Sequence, residues 1–189
     1  MKKNHVDHAI VIATPWRQCW CGGESVTNEI ALEFAKIYPQ ISVVAAVDVS
    51  PNKSIDYAFF EEALKNKKIV GVKFYTGYQQ FYPSDSRCKP IYKLCEKYDA
   101  PVIFHSGDTL ASVGYIKYSQ PIHIDDVASD FPNLKIIIAH LGNPWMRDAA
   151  ELLYRHHNVY ADISGLFIGD FNKNKAMLKI YKNWIHEVI

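Results

Sequence analysis

The chain has 189 residues, a length that suits one domain built around a single buried core. Hydrophobic residues make up 49% and charged residues 22%, and the net charge is +1 with no basic stripe, so charge gives no argument for nucleic acid or an anionic membrane as a partner. The longest apolar runs, such as Ile41 to Val47 and Ile136 to Ala139, fall well short of the roughly 20 residues of a membrane helix.

In chain order, the start through Met1 to Asn4 is basic and leads into an apolar stretch. That stretch is brief, carries Asp7 and His8, and lacks a small-x-small cleavage site, so it reads as a buried strand and not as a signal peptide. Apolar, β-branched runs then recur with helical patterns between them: Ala9 to Ala13, Ile41 to Val47, Ile69 to Phe74, Pro101 to His105, Lys135 to His140 and Val159 to Ile163. This alternation predicts βαβ units and six parallel strands with right-handed connections and no hairpin. Continuous apolar character predicts strands buried on both faces. Helical spacing links Ile91, Leu94, Cys95 and Tyr98, and again Met146, Ala149, Ala150 and Leu153. Asp125 or Asp126 starts the helix that ends before Pro132. Asn143-Pro144 reads as an N-cap followed by proline in the first turn. A last helix runs from about Lys173 to Val188, capped by Asn172 or Asn174. No linker divides the chain, so residues 1–189 form one domain. Gly77 to Ser86 and Ser106 to Gln120 are the longest irregular segments, each after a strand end, where α/β proteins place binding loops.

Four cysteines are present. Cys19-x-Cys21 lacks the second pair of a zinc clip, and Cys88 and Cys95 lie seven apart on one predicted helix, a poor zinc spacing. Reduced packing thiols in a cytoplasmic protein are the expectation.

Two successive predicted strands end in histidine and then turn through glycine: His105 before Ser106-Gly107-Asp108, and His140 before Leu141-Gly142. In a parallel sheet the carboxyl ends of all strands share one face, and in a barrel that face carries function, so the two imidazoles should face one pocket. Lys73, at the end of the preceding predicted strand, either binds a substrate carboxylate, or is carboxylated to bridge two metals, or snorkels to solvent. On each reading it is expected to be exposed. Asp162 on the last predicted strand orients a catalytic imidazole, approaches a metal, or caps the next turn. Asp108, Trp145 and Arg147 lie on or just after the rim loops as substrate contacts. His5 and His8 precede the first strand and belong to the opposite face. His123, His156 and His157 read as surface or helix-edge residues.

The segments Gly71 to Tyr75, Tyr82-Pro83-Ser84-Asp85, Pro90-Ile91-Tyr92 and Pro101 to His105, and above all Asp125 to Gly165, resemble the amidohydrolase-related family. The branch is the one containing aminocarboxymuconate-semialdehyde decarboxylase and metal-dependent hydrolases, and the likeness covers most of the chain. It implies a (β/α) barrel of TIM type, α/β in class. The family site takes a His-x-His pair from the first strand, a histidine from the fifth and an aspartate from the eighth, with a histidine of the sixth beside the metal-bound water. The resemblance makes His105 the metal ligand and His140 the catalytic histidine, with Lys73 and Asp162 as further catalytic candidates. No His-x-His occurs in the sequence, and the region of His5 and His8 resembles the family's second strand. The expectation is an incomplete eight-stranded barrel without the first and last strands, truncated at both ends, with open edges that favour a homo-oligomer.

The resemblance implies a metal-dependent hydrolase acting on a small molecule through metal-activated water, with a divalent metal, zinc first, as cofactor. Non-oxidative decarboxylation is the alternative, as is an inactive fragment or binding module. With one matched ligand, the chain taken alone is expected to bind zinc weakly and to show little or no turnover.

Overall fold

The computed structural model describes residues 5–16, 23–109 and 114–166. Six strands lie in one sheet: β1 (Ala9–Ile12), β2 (Ile41–Ala46), β3 (Gly71–Phe74), β4 (Val102–Phe104), β5 (Ile136–Ile138) and β6 (Val159–Ala161). They stand in chain order and every neighbouring pair is parallel. The helices between them are α1 (Asn28–Ile37), α2 (Tyr57–Lys65), α3 (Lys89–Lys97), α4 (Asp125–Asp130) and α5 (Met146–Arg155). Cys19, Cys21 and the expected helix from Lys173 to Val188 with its caps Asn172 or Asn174 lie outside the described residues.

Cross-strand partners point to the same side of a sheet. The pairs Ile12 with Val44, Ala46 with Lys73, Lys73 with Ile103, Ile103 with Ile137 and Ile137 with Tyr160 therefore define one face. The other face carries Val43, Val72, Phe74, Phe104, Ile136 and Ile138, all buried in the main core with the helices. Its centre is aromatic: Phe74 packs on Phe104 at 5.4 Å and on Tyr92 at 5.5 Å between ring centroids, and Tyr92 reaches Phe131 at 5.3 Å. α3 contributes Ile91, Tyr92 and Cys95 to this layer. Cys88 and Cys95 are free and buried, and burial pushes both thiols up to about 12.

The first face holds a smaller cluster of Val44, Ile103 and Ala139 with Ile137. Burial there fails at the ends of the sheet, where Ile10 is 63% and Tyr160 51% exposed. The expectation of strands buried on both faces holds for the central strands and not for β1 and β6, which have a neighbour on one side in the sheet order.

Two local expectations need correction. β5 stops at Ile138 and not at His140, because His140 and Leu141 adopt left-handed φ of 61° and 48°. Asn143 does not cap α5: its carbonyl accepts the amide of Asp108 (2.8 Å), the Asn143-Pro144 peptide is cis, and Trp145 is the N-cap. Among the described residues, no helix is long and apolar enough to cross a membrane.

Candidate active site at the carboxyl ends of the strands

Lys73 sits inside β3 on the sheet face with the smaller cluster, and it is 4% exposed. This corrects the expectation of an exposed lysine: register sets it between Ala46 and Ile103 near the carboxyl end of the sheet, where it is covered and does not snorkel to solvent. Burial lowers its pKa to about 8, against the pull of the Asp162 carboxylate, which raises it. Its Nζ lies 5.3 Å from the Tyr75 ring centroid.

His105 follows β4, its amide donating to the Phe74 carbonyl at 2.8 Å and its own carbonyl accepting from the Thr76 hydroxyl. The ring Nε2 stands 3.0 Å from the Asp108 carbonyl oxygen. A carbonyl only accepts, so Nε2 carries the proton and Nδ1 keeps its lone pair. Burial, with the charges of Lys73 and His140 nearby, pushes the His105 pKa down to about 3. The ring is therefore neutral throughout the physiological range.

His140 lies in the turn after β5 and its ring centroid is 5.3 Å from that of His105. Its backbone amide donates to Asp162 Oδ1 (3.0 Å), and the next amide, Leu141, donates to the Asp162 carbonyl (2.8 Å). These two bonds hold a left-handed pair that costs energy in residues other than glycine. Ring Nδ1 is 2.8 Å from the Ser164 carbonyl, so Nδ1 carries the proton and Nε2 is left with its lone pair. Asp162 also accepts from the Ser164 amide (2.9 Å) and hydroxyl (2.5 Å). Burial works to raise the Asp162 pKa, but those hydrogen bonds hold it below the usual carboxylate range.

Lys73, His105, His140 and Asp162 thus meet at one end of the sheet. The other candidates are placed differently. Asp108 meets His105 through its backbone carbonyl while its side chain is exposed, Trp145 is half-buried at the start of α5, and Arg147 is exposed in the first turn. His5 and His8 are exposed ahead of β1. His123 donates to the Lys117 carbonyl at 2.8 Å, and His157 is exposed. His156 caps the end of α5, the helix-edge alternative of the expectation, with its side chain 11% exposed and its Nε2 2.6 Å from Asp125 Oδ1.

Sequence reasoning missed an aromatic wall. Tyr78 packs on His105 at 4.6 Å between ring centroids, its ring tilted by 55°, and Trp16 and Tyr75 pack at 4.9 Å beside it. The tyrosines fall just after a strand end, the one signal that could have marked them. Tyr78 also lines a cavity of about 740 Å³ at the carboxyl ends of β1 and β2, with Trp16, Asp48 and Gln79. Ser164 was legible only as part of the family pattern.

The resemblance implies a metal at this site. His105 Nδ1 and His140 Nε2 are two available nitrogen donors, while Asp162 Oδ1 already receives three hydrogen bonds. Among the described residues, no group of three or more His, Cys, Asp or Glu is placed to hold a metal ion. A catalytic zinc normally takes three protein ligands, so these residues alone do not fit such a centre.

The family model described as Amidohydrolase matches residues 13–183. Among solved structures, the chain is similar to an uncharacterised TIM-barrel protein from Bordetella bronchiseptica at 27% identity and TM-score 0.67, covering 83% of this chain and 54% of that one. It is also similar to a probable 2-pyrone-4,6-dicarboxylic acid hydrolase from Acinetobacter baumannii, at 15% identity and TM-score 0.66, covering 98% and 65%. A third is 5-carboxyvanillate decarboxylase from Sphingomonas paucimobilis, at 15% identity and TM-score 0.56, covering 82% and 52%. The chain spans between about half and two thirds of the length of these structures, and its six strands in sequence order correspond to an incomplete barrel. A search of curated proteins found no match.

Proposed function

The chain belongs to the amidohydrolase family, and on that premise we propose that its carboxyl-face site hydrolyses a small carboxylate-bearing molecule, with His140 as the general base. The observation that carries this reading is the state of the His140 ring. Its Nδ1 proton is held by the Ser164 carbonyl, which leaves the Nε2 lone pair for a proton, next to a second imidazole that stays neutral. In the proposed reaction Nε2 takes a proton from water as its oxygen bonds to the substrate carbonyl carbon. The protonated ring then returns that proton to the leaving nitrogen or oxygen as the scissile bond breaks. His105 Nδ1 accepts a hydrogen bond from the attacking water or substrate. The Lys73 ammonium, buried and near the Asp162 carboxylate, attracts the substrate carboxylate. The adjoining cavity of about 740 Å³ has the volume of a small-molecule site.

A divalent metal, zinc by family likeness with His105 as one ligand, belongs to the proposal only with a third protein ligand from outside the described residues. A cytoplasmic location is proposed with it, consistent with two free, buried thiols. Association of copies through the sheet ends is likewise proposed, from the exposed Ile10, Ile12 and Tyr160. Non-oxidative decarboxylation uses the same residues: His140 Nε2 first takes a proton from solvent and then delivers that proton to the carbanion left as CO₂ departs, and product analysis separates the two.

The test uses the full chain with a panel of lactones, esters and amides that carry a carboxylate. The two named neighbours, by their names, act on carboxylated rings, which sets the order of the panel. Slow hydrolysis that falls at least about 100-fold in His140→Gln supports the reading, a factor typical of a general base. A His140→Gln variant as active as the wild type overturns it. So does the absence of turnover combined with no carboxylate-induced shift in the His105 and His140 NMR signals.

A further inference from the structure

We infer that Ser164 is the positioning residue of this site: its carbonyl and hydroxyl oxygens, locked by Asp162, fix the proton of His140 on Nδ1 and aim Nε2 at the reacting atoms. The inference rests on His140 being the base, and it adds a residue and a device to that reading.

The geometry is specific. His140 Nδ1 lies 2.8 Å from the Ser164 carbonyl and 2.9 Å from the Ser164 hydroxyl oxygen. A serine hydroxyl can donate or accept, so alone it would leave the ring tautomer open. Here the hydroxyl hydrogen is already committed: Ser164 Oγ donates to Asp162 Oδ1 at 2.5 Å. What remains toward the ring is a lone pair. Both oxygens facing Nδ1 therefore act as acceptors, and the ring answers with an N–H. The orientation of the serine is fixed in turn, because its amide donates to the same Asp162 oxygen at 2.9 Å.

The backbone on both sides is shaped for this contact. Gly165 takes φ of 68°, and a Cβ there would stand 3.0 Å from His140 Nδ1. A side chain at this position is strained by the backbone and crowds the ring as well. On the other side, the Asp162 oxygen that orients Ser164 also accepts the His140 amide at 3.0 Å. One carboxylate oxygen thus ties the turn that carries His140 to the loop that reads its ring. Asp162 acts on the imidazole through this link and makes no bond to the ring itself among the described residues. The run Asp162-Ile163-Ser164-Gly165 is a cradle for the histidine in the turn after the preceding strand. A hydrogen bond from a side group that sets which imidazole nitrogen is free is a recognised means of preparing a base or ligand.

The test is ¹⁵N NMR of the His140 ring in the full chain at fixed pH, joined to kinetics. A histidine side chain free in water favours the proton on Nε2, so a proton on Nδ1 in the wild type is the expected mark of the cradle. Ser164→Ala keeps the carbonyl and loses the locked hydroxyl. Its ring should shift partly toward the Nε2–H form, and kcat should fall about tenfold at unchanged KM, as for loss of a supporting partner. Ser164→Thr keeps the hydroxyl and should retain both wild-type signals. A wild-type ring protonated on Nε2, a measurement that needs no variant, overturns the inference. A folded Ser164→Ala chain that keeps both the wild-type tautomer and the wild-type kcat also overturns it. If the tautomer moves as expected while no variant turns over any substrate, the cradle stands and the hydrolase reading fails.

Discussion

Replacing Lys73 by methionine should stabilise the fold while weakening the site. Lys73 is 4% exposed, and burial lowers its pKa from 10.5 to about 8. That difference of about 2.5 units corresponds to about 3 kcal/mol, at ~1.36 kcal/mol per unit. The folded state binds its proton more weakly than the unfolded state, so stability rises with pH between about 8 and 10.5, and below about 8 the whole penalty is present. Methionine has a similar unbranched shape and no charge to desolvate. Urea unfolding followed by circular dichroism should show Lys73→Met more stable than the wild type at pH 7 by up to about 3 kcal/mol, the gap narrowing to under about 1 kcal/mol at pH 10. Carboxylate binding should fall in the same variant. A variant less stable than the wild type at pH 7, or a gap that does not change with pH, would refute the argument that the ammonium is held desolvated. A residue retained at such a cost is a mark of function.

Three further outcomes follow from the same geometry. The His105 pKa lies at about 3, below the ordinary 6.5, so stability present above pH 6.5 should drain away as pH falls toward 3; His105→Gln should remove about 3 kcal/mol of that dependence, read by unfolding at pH 4 and pH 7. Calorimetric zinc titration of the full chain should show weak binding, because the described residues offer two imidazole donors; one tightly held ion, retained after dialysis and lost in His105→Ala, would show that the chain completes the centre. Sedimentation should show self-association that weakens in Ile10→Lys, since Ile10 is 63% exposed at the end of the sheet, and a stable monomer at high concentration would contradict this.

The parallel sheet was legible because each strand is written as an apolar run between helical patterns, and chain order then gave strand order. The meeting of His105 and His140 was legible for a topological reason: parallel strands put equivalent ends on one face, so matched positions become neighbours without any local motif. Lys73 shows where this reasoning stops. Its burial depends on register against Ala46 and Ile103, and no run of residues records register. The turn at His140 was illegible for a related reason. Two left-handed residues that are not glycine carry no sequence mark, and they are held by Asp162, 22 positions away. Asn143 misled because Asn-Pro is a sound helix start in isolation, and only the contact of its carbonyl with Asp108 diverts it. Ser164 was invisible as a functional residue because its role lies in an oxygen lone pair directed by a neighbour.

The central claim is that His140 passes a proton from water to a leaving group at a site shared with His105, Lys73 and Asp162. The most direct measurement is turnover in ¹⁸O-labelled water by the full chain and by His140→Gln, with product mass as the readout. The account predicts one ¹⁸O atom in the carboxylate formed by the wild type, and label entering at least about 100-fold more slowly in the variant. Label entering both proteins at the same rate, or product forming without label, would contradict it.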